Sequence, residues 1–291
     1  MKQRNIAAYL MEATAKPFLK WAGAKRQLVR RLKGLLPLEG RRFFEPFVGS
    51  GVVFLNTRYP ANLLSDSNQD IISLYSVLKA KRQEFINDCR RLFTPKHNSA
   101  DKFYELREEF NRSKDRERRS ALFVYLNRHC FNGLCRYNKK GGFNTPFGRY
   151  DQVYFPAEEM LAFAEKLKTA RLQRLDFRKA LPQAGEGDVV YCDPPYTPLT
   201  ATANFTNYAA GGFGQQDQRD LHALALAASE RGAFVVISNH DTEFTQGLYK
   251  GAARLEEVLV SRTISCDGQN RNKAKELIAV FGDLKQSELL L

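Results

Sequence analysis

The stretch FFEPFVGSG at residues 43–51 decides the fold, because it joins an apolar run directly to a glycine loop. The apolar run from Arg42 to Phe47 is typical of a buried β-strand. Gly49 and Gly51 follow it, and residues without a Cβ let the backbone approach a ligand closely. A plain turn is an equally good interpretation of so short a loop. The full dinucleotide-binding fingerprint is absent, because two valines come next.

A second apolar run, Asn62 to Ser65, ends at Asp66, about fifteen residues beyond the glycine loop. A carboxylate in this place can accept hydrogen bonds from the two hydroxyls of a ribose. The alternative is that Asp66 merely caps a following helix. Taken together, the two strand ends favour a site for a cofactor that contains a nucleoside.

Five apolar runs predict buried strands, each flanked by polar or glycine-rich loops. They are Arg42–Phe47, Asn62–Ser65, Asp188–Cys192, Phe234–Ser238 and Glu276–Phe281. Helical patterns lie between several of them, at Gln27–Leu36, Glu158–Lys168 and Gln216–Arg231. This alternation predicts an α/β fold with an open, mostly parallel sheet, which binds ligands at the carboxyl ends of its strands.

The composition favours a nucleic-acid partner and disfavours several other classes. Among 291 residues, 45 Lys and Arg stand against 32 Asp and Glu, and the formal charge of +13 favours binding to a polyanion. Five cysteines without a CxxC pair fit a reducing compartment, and four dispersed histidines give no paired metal-ligand spacing, so no metal is expected. The N-terminus lacks a signal-peptide pattern and no apolar stretch of about 18 residues occurs, so we expect a cytoplasmic protein without a membrane partner.

The sequence VVYCDPPY at residues 189–196 is the strongest chemical signal. Two prolines directly after an apolar run stiffen the backbone and remove hydrogen-bond donors, which is costly in ordinary sheet, although a structural turn is the alternative. Asp193 and the carbonyl of Pro194 are two acceptors for the hydrogens of an exocyclic amine, whose conjugated lone pair is otherwise a poor nucleophile. Tyr196 can stack on the base that carries the amine. Cys192 fits a small buried residue better than a nucleophile.

Residues 69–154 are rich in helical pattern and charge, and they are typical of an inserted module. Residues 130–150 become rich in glycine and asparagine, which predicts a hairpin with its turn near Lys139–Gly142. Basic and aromatic residues are interleaved along this hairpin, a mixture suited to phosphates, base edges and stacking. For the arginine-rich run Arg112–Arg119 alone, a solvated helix face is as good an interpretation.

Six motifs together resemble the Dam family of DNA adenine methyltransferases, in that family's order and over nearly the whole chain. They are FLKWAGAK (18–25), FEPFVGSG (44–51), NGLCRYN (132–138), FNTPFGRY (143–150), VVYCDPPY (189–196) and ISNHDT (237–242). The resemblance implies a Rossmann-like methyltransferase domain, S-adenosylmethionine (AdoMet) as methyl donor, and N6-methylation of adenine at GATC in double-stranded DNA.

Carried over residue by residue, the resemblance implies three groups of site residues. The catalytic residues would be Asp193, Pro194 and Tyr196. The cofactor contacts would be Trp21, Lys25, Phe47, Gly49, Gly51, Asp66 and Asp193. The DNA contacts would be Lys20, Phe131, Asn132, Leu134, Arg136, Pro146 and Tyr150.

Several of the implied DNA contacts have a matching chemistry. Arg136 has the fork for guanine O6 and N7, while Leu134 and Pro146 offer apolar contact to a thymine methyl. Phe131 stands where we expect a tyrosine in this family, and it can wedge into the duplex in the space left by a flipped adenine. Loss of the hydroxyl keeps the stacking but changes the hydrogen bonding. The chain also begins about ten residues earlier than the best-known members.

This organisation predicts a discontinuous catalytic domain, with DNA as partner and a monomeric state. Residues 17–68 and 155–284 would form the catalytic domain, 69–154 the inserted recognition domain, 1–16 an N-terminal extension and 285–291 a C-terminal tail. The polar stretch 197–214 is expected to be a lid that is partly disordered without DNA.

Two other functions are compatible with parts of the pattern. Methylation of adenine in structured RNA would use the same DPPY chemistry, but the narrow RNA major groove does not admit an arginine fork. A DNA-binding protein without catalysis would keep the basic module, but it would not need Asp193, Tyr196, Asp66 and the glycines, which are all present. A chromosomal methylase, a phage-borne copy and the methylase of a restriction system would all carry these residues.

Overall fold

The computed structural model describes residues 9, 12–21, 28–196, 213–261 and 273–286. Within these ranges the chain forms one sheet of seven strands in the order β3-β2-β1-β4-β5-β7-β6. The strands are β1 Arg42–Glu45, β2 Asn62–Asp66, β3 Ala170–Arg174, β4 Asp188–Cys192, β5 Phe234–His240, β6 Arg254–Ser261 and β7 Lys273–Phe281. Neighbours from β3 to β5 pair in parallel, whereas β7 is antiparallel to both β5 and β6. The predicted α/β fold with a mostly parallel sheet is confirmed.

Helices cover both faces of this sheet. Those within the described ranges are α1 Val29–Leu35, α2 Val52–Asn56, α3 Gln69–Lys81, α4 Gln83–Arg90, α5 Ala100–Arg112, α6 Arg116–His129, α7 Ala157–Lys166, α8 Phe177–Ala180, α9 Gln215–Glu230 and α10 Glu243–Leu248. The three predicted helical patterns coincide with α1, α7 and α9, to within two residues at each end. None of the described helices is long and apolar enough to cross a bilayer.

The two faces of the sheet carry separate hydrophobic cores. Successive strand residues point to opposite faces, so Phe43 and Phe44 of β1 are both buried but lie in different cores. Residues from α1 to α7 pack in the core of Phe43, and residues from α8 and α9 pack in the core of Phe44. The result is a three-layer arrangement that leaves the strand ends open to ligands.

The helical segment between β2 and β3 extends the larger core. Phe110 of α5 and Phe123 of α6 belong to the same continuous cluster as Phe43. Helix α3 also contacts the sheet, since Nζ of Lys79 donates a hydrogen bond to the carbonyl of Ala170 at 2.6 Å. The segment is therefore joined to the sheet by apolar packing that runs without a break.

The predicted reversal of the chain near residues 139–142 is present. The backbone amide of Asn138 donates to the carbonyl of Gly142 at 2.9 Å, and the Gly141 amide donates back to Asn138 at 2.9 Å. Below this turn the two arms are joined by isolated antiparallel bridges, including one between Tyr137 and Phe143, rather than by a continuous ladder. We refer to residues 130–150 as the hairpin.

The sequence patterns did not predict β3 and β6, the two edge strands of the sheet. β3 reads ARLQR and buries only Ala170 fully. In β6, Leu255 and Leu259 are exposed. An edge strand is covered on fewer sides than a central one, so its sequence need not form a continuous apolar run.

Candidate active site

Three carboxyl groups lie at the carboxyl ends of adjacent strands. Glu45 ends β1, Asp66 ends β2, and Asp193 directly follows β4. Because β1 lies between β2 and β4 in parallel register, all three groups come to one edge of the sheet. This is the edge at which the sequence predicts a cofactor site.

The loop after β1 needs its glycines for conformation and for space. Gly49 and Gly51 have φ angles of +44° and +65°, which residues with a Cβ rarely adopt. A Cβ on Gly49 would lie 2.7 Å from Nε1 of Trp21, and one on Gly51 would lie 2.8 Å from the ring of Phe163. Trp21 thus packs directly against the loop. Lys25, the other predicted cofactor contact of this motif, lies outside the described residues.

Asp66 ties the glycine loop to the end of β2. The Gly49 amide donates to its Oδ2 at 3.1 Å, and the Asn68 amide donates to its Oδ1 at 2.9 Å. The helix cap of α3 is Asn68, whose side chain accepts from the Asp70 amide at 2.9 Å, so Asp66 is not the cap. Burial raises the pKa of the Asp66 carboxyl to about 6, against the lowering effect of these backbone hydrogen bonds.

Glu45 is a buried acid that our sequence analysis did not select. Its side chain is only 3% exposed and accepts a hydrogen bond from the Phe54 amide at 3.2 Å. Burial raises the pKa of the Glu45 carboxyl well above its ordinary value, and the charges of Asp193 and Asp66 raise it further. Burial and the neighbouring acids therefore favour the neutral form of the Glu45 carboxyl.

Asp193 is held at the end of β4 by the neighbouring strand. The Ser238 hydroxyl of β5 donates to Oδ1 of Asp193 at 3.2 Å. The same hydroxyl lies 2.9 Å from the hydroxyl of buried Tyr191. This chain of hydrogen bonds limits rotation of the carboxylate about its side-chain bonds, which fixes the direction of an acceptor at the site.

A second network holds the backbone of the DPPY motif. Nε2 of Gln218 in α9 donates to the carbonyl of Pro195 at 3.1 Å. Oε1 of Gln218 accepts from Nδ2 of Asn239 at 2.9 Å, and Nδ2 also donates to the Tyr249 hydroxyl at 3.2 Å. Gln218 and Asn239 are buried, so the network contributes to a rigid backbone directly after Pro194.

Tyr196 contacts the far side of the site through both its ring and its hydroxyl. The hydroxyl donates to Oε2 of Glu276 in β7 at 3.0 Å. The ring meets His240 edge to face, with the ring centroids 4.5 Å apart. Tyr196, the predicted stacking residue, is thus held by one hydrogen bond at its hydroxyl and by one edge-to-face ring contact.

Phe47, within the loop that follows β1, belongs to a group of three aromatic residues. Its ring stacks on Phe177 at 5.4 Å between centroids and meets Phe213 edge to face at 5.8 Å. Phe177 begins α8, directly after β3, so this group also lies at the carboxyl edge of the sheet. An aromatic surface here suits the flat ring of a nucleoside base.

One predicted cofactor contact, Trp21, and three predicted DNA contacts, Lys20, Asn132 and Tyr150, line one cavity. It has a volume of about 480 Å³, and its lining includes Lys20, Trp21, Arg128, Asn132 and Tyr150. The ammonium group of Lys20 lies 4.0 Å above the ring of Tyr150, and the Tyr150 hydroxyl accepts from the Asn132 amide at 3.0 Å. Burial lowers the pKa of Lys20. Lys20 and Trp21 therefore join the hairpin to the cofactor loop, because Lys20 contacts Tyr150 and Trp21 packs against Gly49.

Arg136 is oriented from within the hairpin. Its Nε donates to Oδ1 of Asn144 at 2.9 Å, and one Nη donates to the Asn144 carbonyl at 3.3 Å. The carbonyl of Pro146 accepts from the Phe131 amide at 2.9 Å, and the Phe131 side chain is 43% exposed. Leu134 is half-buried on the first arm. The hairpin thus carries an exposed cationic fork and exposed apolar groups, as a base-reading surface requires.

The positioning residues Glu45, Gln218, Ser238 and Glu276 were missed because each acts on another residue. A polar residue inside an apolar strand is the signal that could have revealed Glu45, Ser238 and Glu276, since burial of such a group demands a partner. Ser238 lies within the ISNHDT motif, which contributes to the family resemblance but did not by itself indicate a role for the Ser238 hydroxyl.

The described residues cover only part of the predicted lid, and a metal site can be sought only among them. Positions 197–212 of the predicted lid lie outside the described residues. Among the residues that the structure describes, no group of three or more His, Cys, Asp or Glu could hold a metal ion.

Comparison with known proteins identifies the family of this chain. The family model of D12 class N6 adenine-specific DNA methyltransferases matches residues 21–264. The DNA adenine methylase of Serratia marcescens is 51% identical over 265 residues, which cover 91% of this chain and 97% of that protein. The DNA adenine methylase of Escherichia coli (strain K12) is 47% identical over 264 residues, covering 91% and 94%. The resemblance inferred from the six motifs is confirmed, and the chain belongs to the D12 class of N6 adenine-specific DNA methyltransferases.

Proposed function

We propose that this enzyme methylates N6 of adenine in GATC after rotating that adenine out of the duplex. Its methyl donor is AdoMet. The observation that carries the proposal is the anchored DPPY motif, in which Asp193 accepts from Ser238 at 3.2 Å and Pro195 accepts from Gln218 at 3.1 Å. The name DNA adenine methylase, shared by the relatives, supports a DNA substrate.

The two acceptors of the motif would activate the amine. The carboxylate of Asp193 and the carbonyl of Pro194 would each accept one amine hydrogen, which favours a pyramidal nitrogen with an available lone pair. Both acceptors are fixed before substrate arrives, so little reorganisation accompanies the development of charge on nitrogen. Alignment of the amine with the methyl group contributes further, by up to roughly 7–11 kcal/mol in ideal intramolecular models. Tyr196 would stack on the flipped adenine.

The residues around the glycine loop fit AdoMet. When bound, AdoMet supplies the methyl group that is attached to its positively charged sulfonium. Asp66 would accept from the ribose hydroxyls and Phe47 would face the base, while Trp21, Gly49 and Gly51 would line the adjoining surface. Asp193 and Lys25 complete the predicted set of cofactor contacts. Lys25 is assigned from its sequence motif alone. The carboxylate of Asp66 would match the positive charge of the donor.

The hairpin would read the DNA. The Arg136 fork would contact guanine O6 and N7, while Leu134 and Pro146 would contact a thymine methyl. Exposed Phe131 would fill the gap left by the adenine, since flipping requires that the lost stacking be replaced. Three further DNA contacts are assigned near the cavity: Lys20, Asn132 and Tyr150.

We also propose the division of labour within the chain. Residues 17–68 and 155–284 would form the catalytic domain and 69–154 the recognition domain. The enzyme would act as a monomer on nucleoid DNA in the bacterial cytoplasm, because DNA is its substrate and each required group belongs to one chain.

The proposed sequence specificity is tested by mapping the product. Unmethylated plasmid would be incubated with purified protein and AdoMet, and N6-methyladenine would be located by sequencing. We expect methylation at GATC and almost nowhere else. Methylation concentrated in a different sequence, or spread over adenines without preference, would refute the assignment of GATC.

A further inference from the structure

The hairpin is fastened to the cofactor side of the molecule by one buried carboxylate. Asp70, in the first turn of α3, is 8% exposed. The hydroxyl of Tyr137 on the hairpin donates to its Oδ2 at 2.8 Å. Arg119 of α6 binds the same carboxylate with both Nε, at 2.6 Å to Oδ1, and an Nη, at 3.0 Å to Oδ2. Two parallel hydrogen bonds between an arginine and a carboxylate are short and fix the orientation of both groups.

Arg119 is itself restrained, so the pair has little freedom to move. A second Nη donates to the carbonyl of Phe110 at 2.6 Å. The guanidinium also lies 4.0 Å from the centroid of the Phe110 ring. Arg119 therefore belongs to the rigid helical layer, and Asp70 presents a fixed acceptor to Tyr137.

From Asp70 the hydrogen bonds continue to the glycine loop. The Asp70 amide donates to the side chain of Asn68 at 2.9 Å, and the Asn68 amide donates to Asp66 at 2.9 Å. Asp66 accepts from Gly49 at 3.1 Å on its other oxygen. Tyr137 directly follows Arg136, so this path joins the proposed base-reading arm to the proposed ribose acceptor through three residues.

We infer that Asp70 is a positioning residue that couples the hairpin to the cofactor site. A shift of the hairpin on DNA would move Tyr137, and the short bonds would transmit that shift through the start of α3 to Asp66. Coupling between two binding sites is reciprocal, so cognate DNA would raise affinity for the cofactor by the factor with which the cofactor raises affinity for DNA. The inference rests on the proposed roles of Arg136 and Asp66.

The test is a thermodynamic cycle on the full chain. Affinity for S-adenosylhomocysteine would be measured by calorimetry, with and without a duplex containing the sequence that the wild-type protein methylates. The ratio of the two affinities is the coupling factor, and factors of about 5–150 are typical of coupled sites. Tyr137→Phe removes only the hydroxyl and should lower the factor about 3- to 10-fold, as expected for loss of one hydrogen bond.

Tyr125→Phe is the matched control. Tyr125 is buried in α6, and its hydroxyl donates to the carbonyl of His97 at 2.6 Å, so it takes no part in the hydrogen bonds that lead from Tyr137 to Asp66. It should keep the wild-type factor. Asp70→Asn removes the charge that binds Arg119 and should lower the factor as Tyr137→Phe does, which keeps the test valid if one variant folds poorly.

Three results would overturn the inference: a wild-type factor of one, a full factor in Tyr137→Phe, or an equal loss in Tyr125→Phe. Because the duplex is chosen from the product map, methylation at a sequence other than GATC would refute that assignment and leave this test intact.

Discussion

The hydroxyl of Tyr196 donates a hydrogen bond to Oε2 of Glu276 at 3.0 Å, which ties the last residue of the DPPY motif to strand β7. β7 pairs with β5, the strand that carries Ser238 and His240. Glu276 of β7 therefore holds the hydroxyl of Tyr196, and His240 of β5 packs against its ring. This division separates two roles of Tyr196 that substitution can measure.

For Tyr196 we expect the ring to matter more than the hydroxyl. Tyr196→Phe keeps the stacking surface and loses the anchor to Glu276, so single-turnover methylation should slow only about 3- to 10-fold. Tyr196→Ala removes the stacking surface as well and should slow it by about 100-fold or more. Equal rates in the two variants would show that the stacking role is wrong.

Ser238 should act on turnover through Asp193. Ser238→Ala removes the hydrogen bond to Oδ1 and allows the carboxylate to rotate, so we expect kcat to fall about tenfold with little change in affinity for DNA. Ser229→Ala is the control, because its hydroxyl donates to the carbonyl of Leu226 in α9, outside the site. A similar fall in both variants would point to a general loss of stability instead.

Cofactor binding should depend on pH through Asp66, whose pKa is about 6. Ribose hydroxyls donate to the ionised carboxylate, so affinity for S-adenosylhomocysteine should rise about tenfold per pH unit up to pH 6 and level off above it. The raised pKa has the opposite effect on the free protein, whose stability should fall as pH rises from 3.8 to about 6, since the folded state binds more protons. Asp66→Asn should remove the rise in affinity, and a rise that persists would exclude Asp66 as its cause.

Discrimination among DNA sites should depend on Arg136 and, less strongly, on Asn144. Arg136→Ala should reduce discrimination at one guanine by about 1–3 kcal/mol. Asn144→Ala removes the 2.9 Å hydrogen bond that orients the Arg136 guanidinium, and it should give a smaller loss of discrimination at the same base pair. Relative kcat/KM on duplexes with single substitutions measures both effects. An equal fall in kcat/KM on all duplexes would instead indicate that Arg136 contacts a phosphate.

The central strands and the loops at their carboxyl ends could be predicted, because their sequences carry strong local signals. The run before Gly49 and the prolines after Asp193 permit few local structures. The edge strands β3 and β6 could not be predicted, since strand pairing rather than an apolar run defines them.

Residues that act through a partner distant in sequence were also beyond prediction. The arginine-rich run Arg112–Arg119 illustrates this, because a solvated face was as good an interpretation as any other. Arg118 instead forms a double hydrogen bond with Glu109, and Arg119 forms one with Asp70, 49 residues away. Only the folded chain brings such pairs together.

The proposed role of Asp193 in activating the amine is tested most directly by measuring methyl transfer in the variant Asp193→Ala. Transfer of a labelled methyl group from AdoMet to a duplex with a single GATC would be compared with wild type, and DNA affinity would be measured in parallel. We expect that transfer is abolished while the duplex is still bound, because Asp193 acts on the amine and the hairpin holds the DNA. Near-normal turnover in this variant would contradict it.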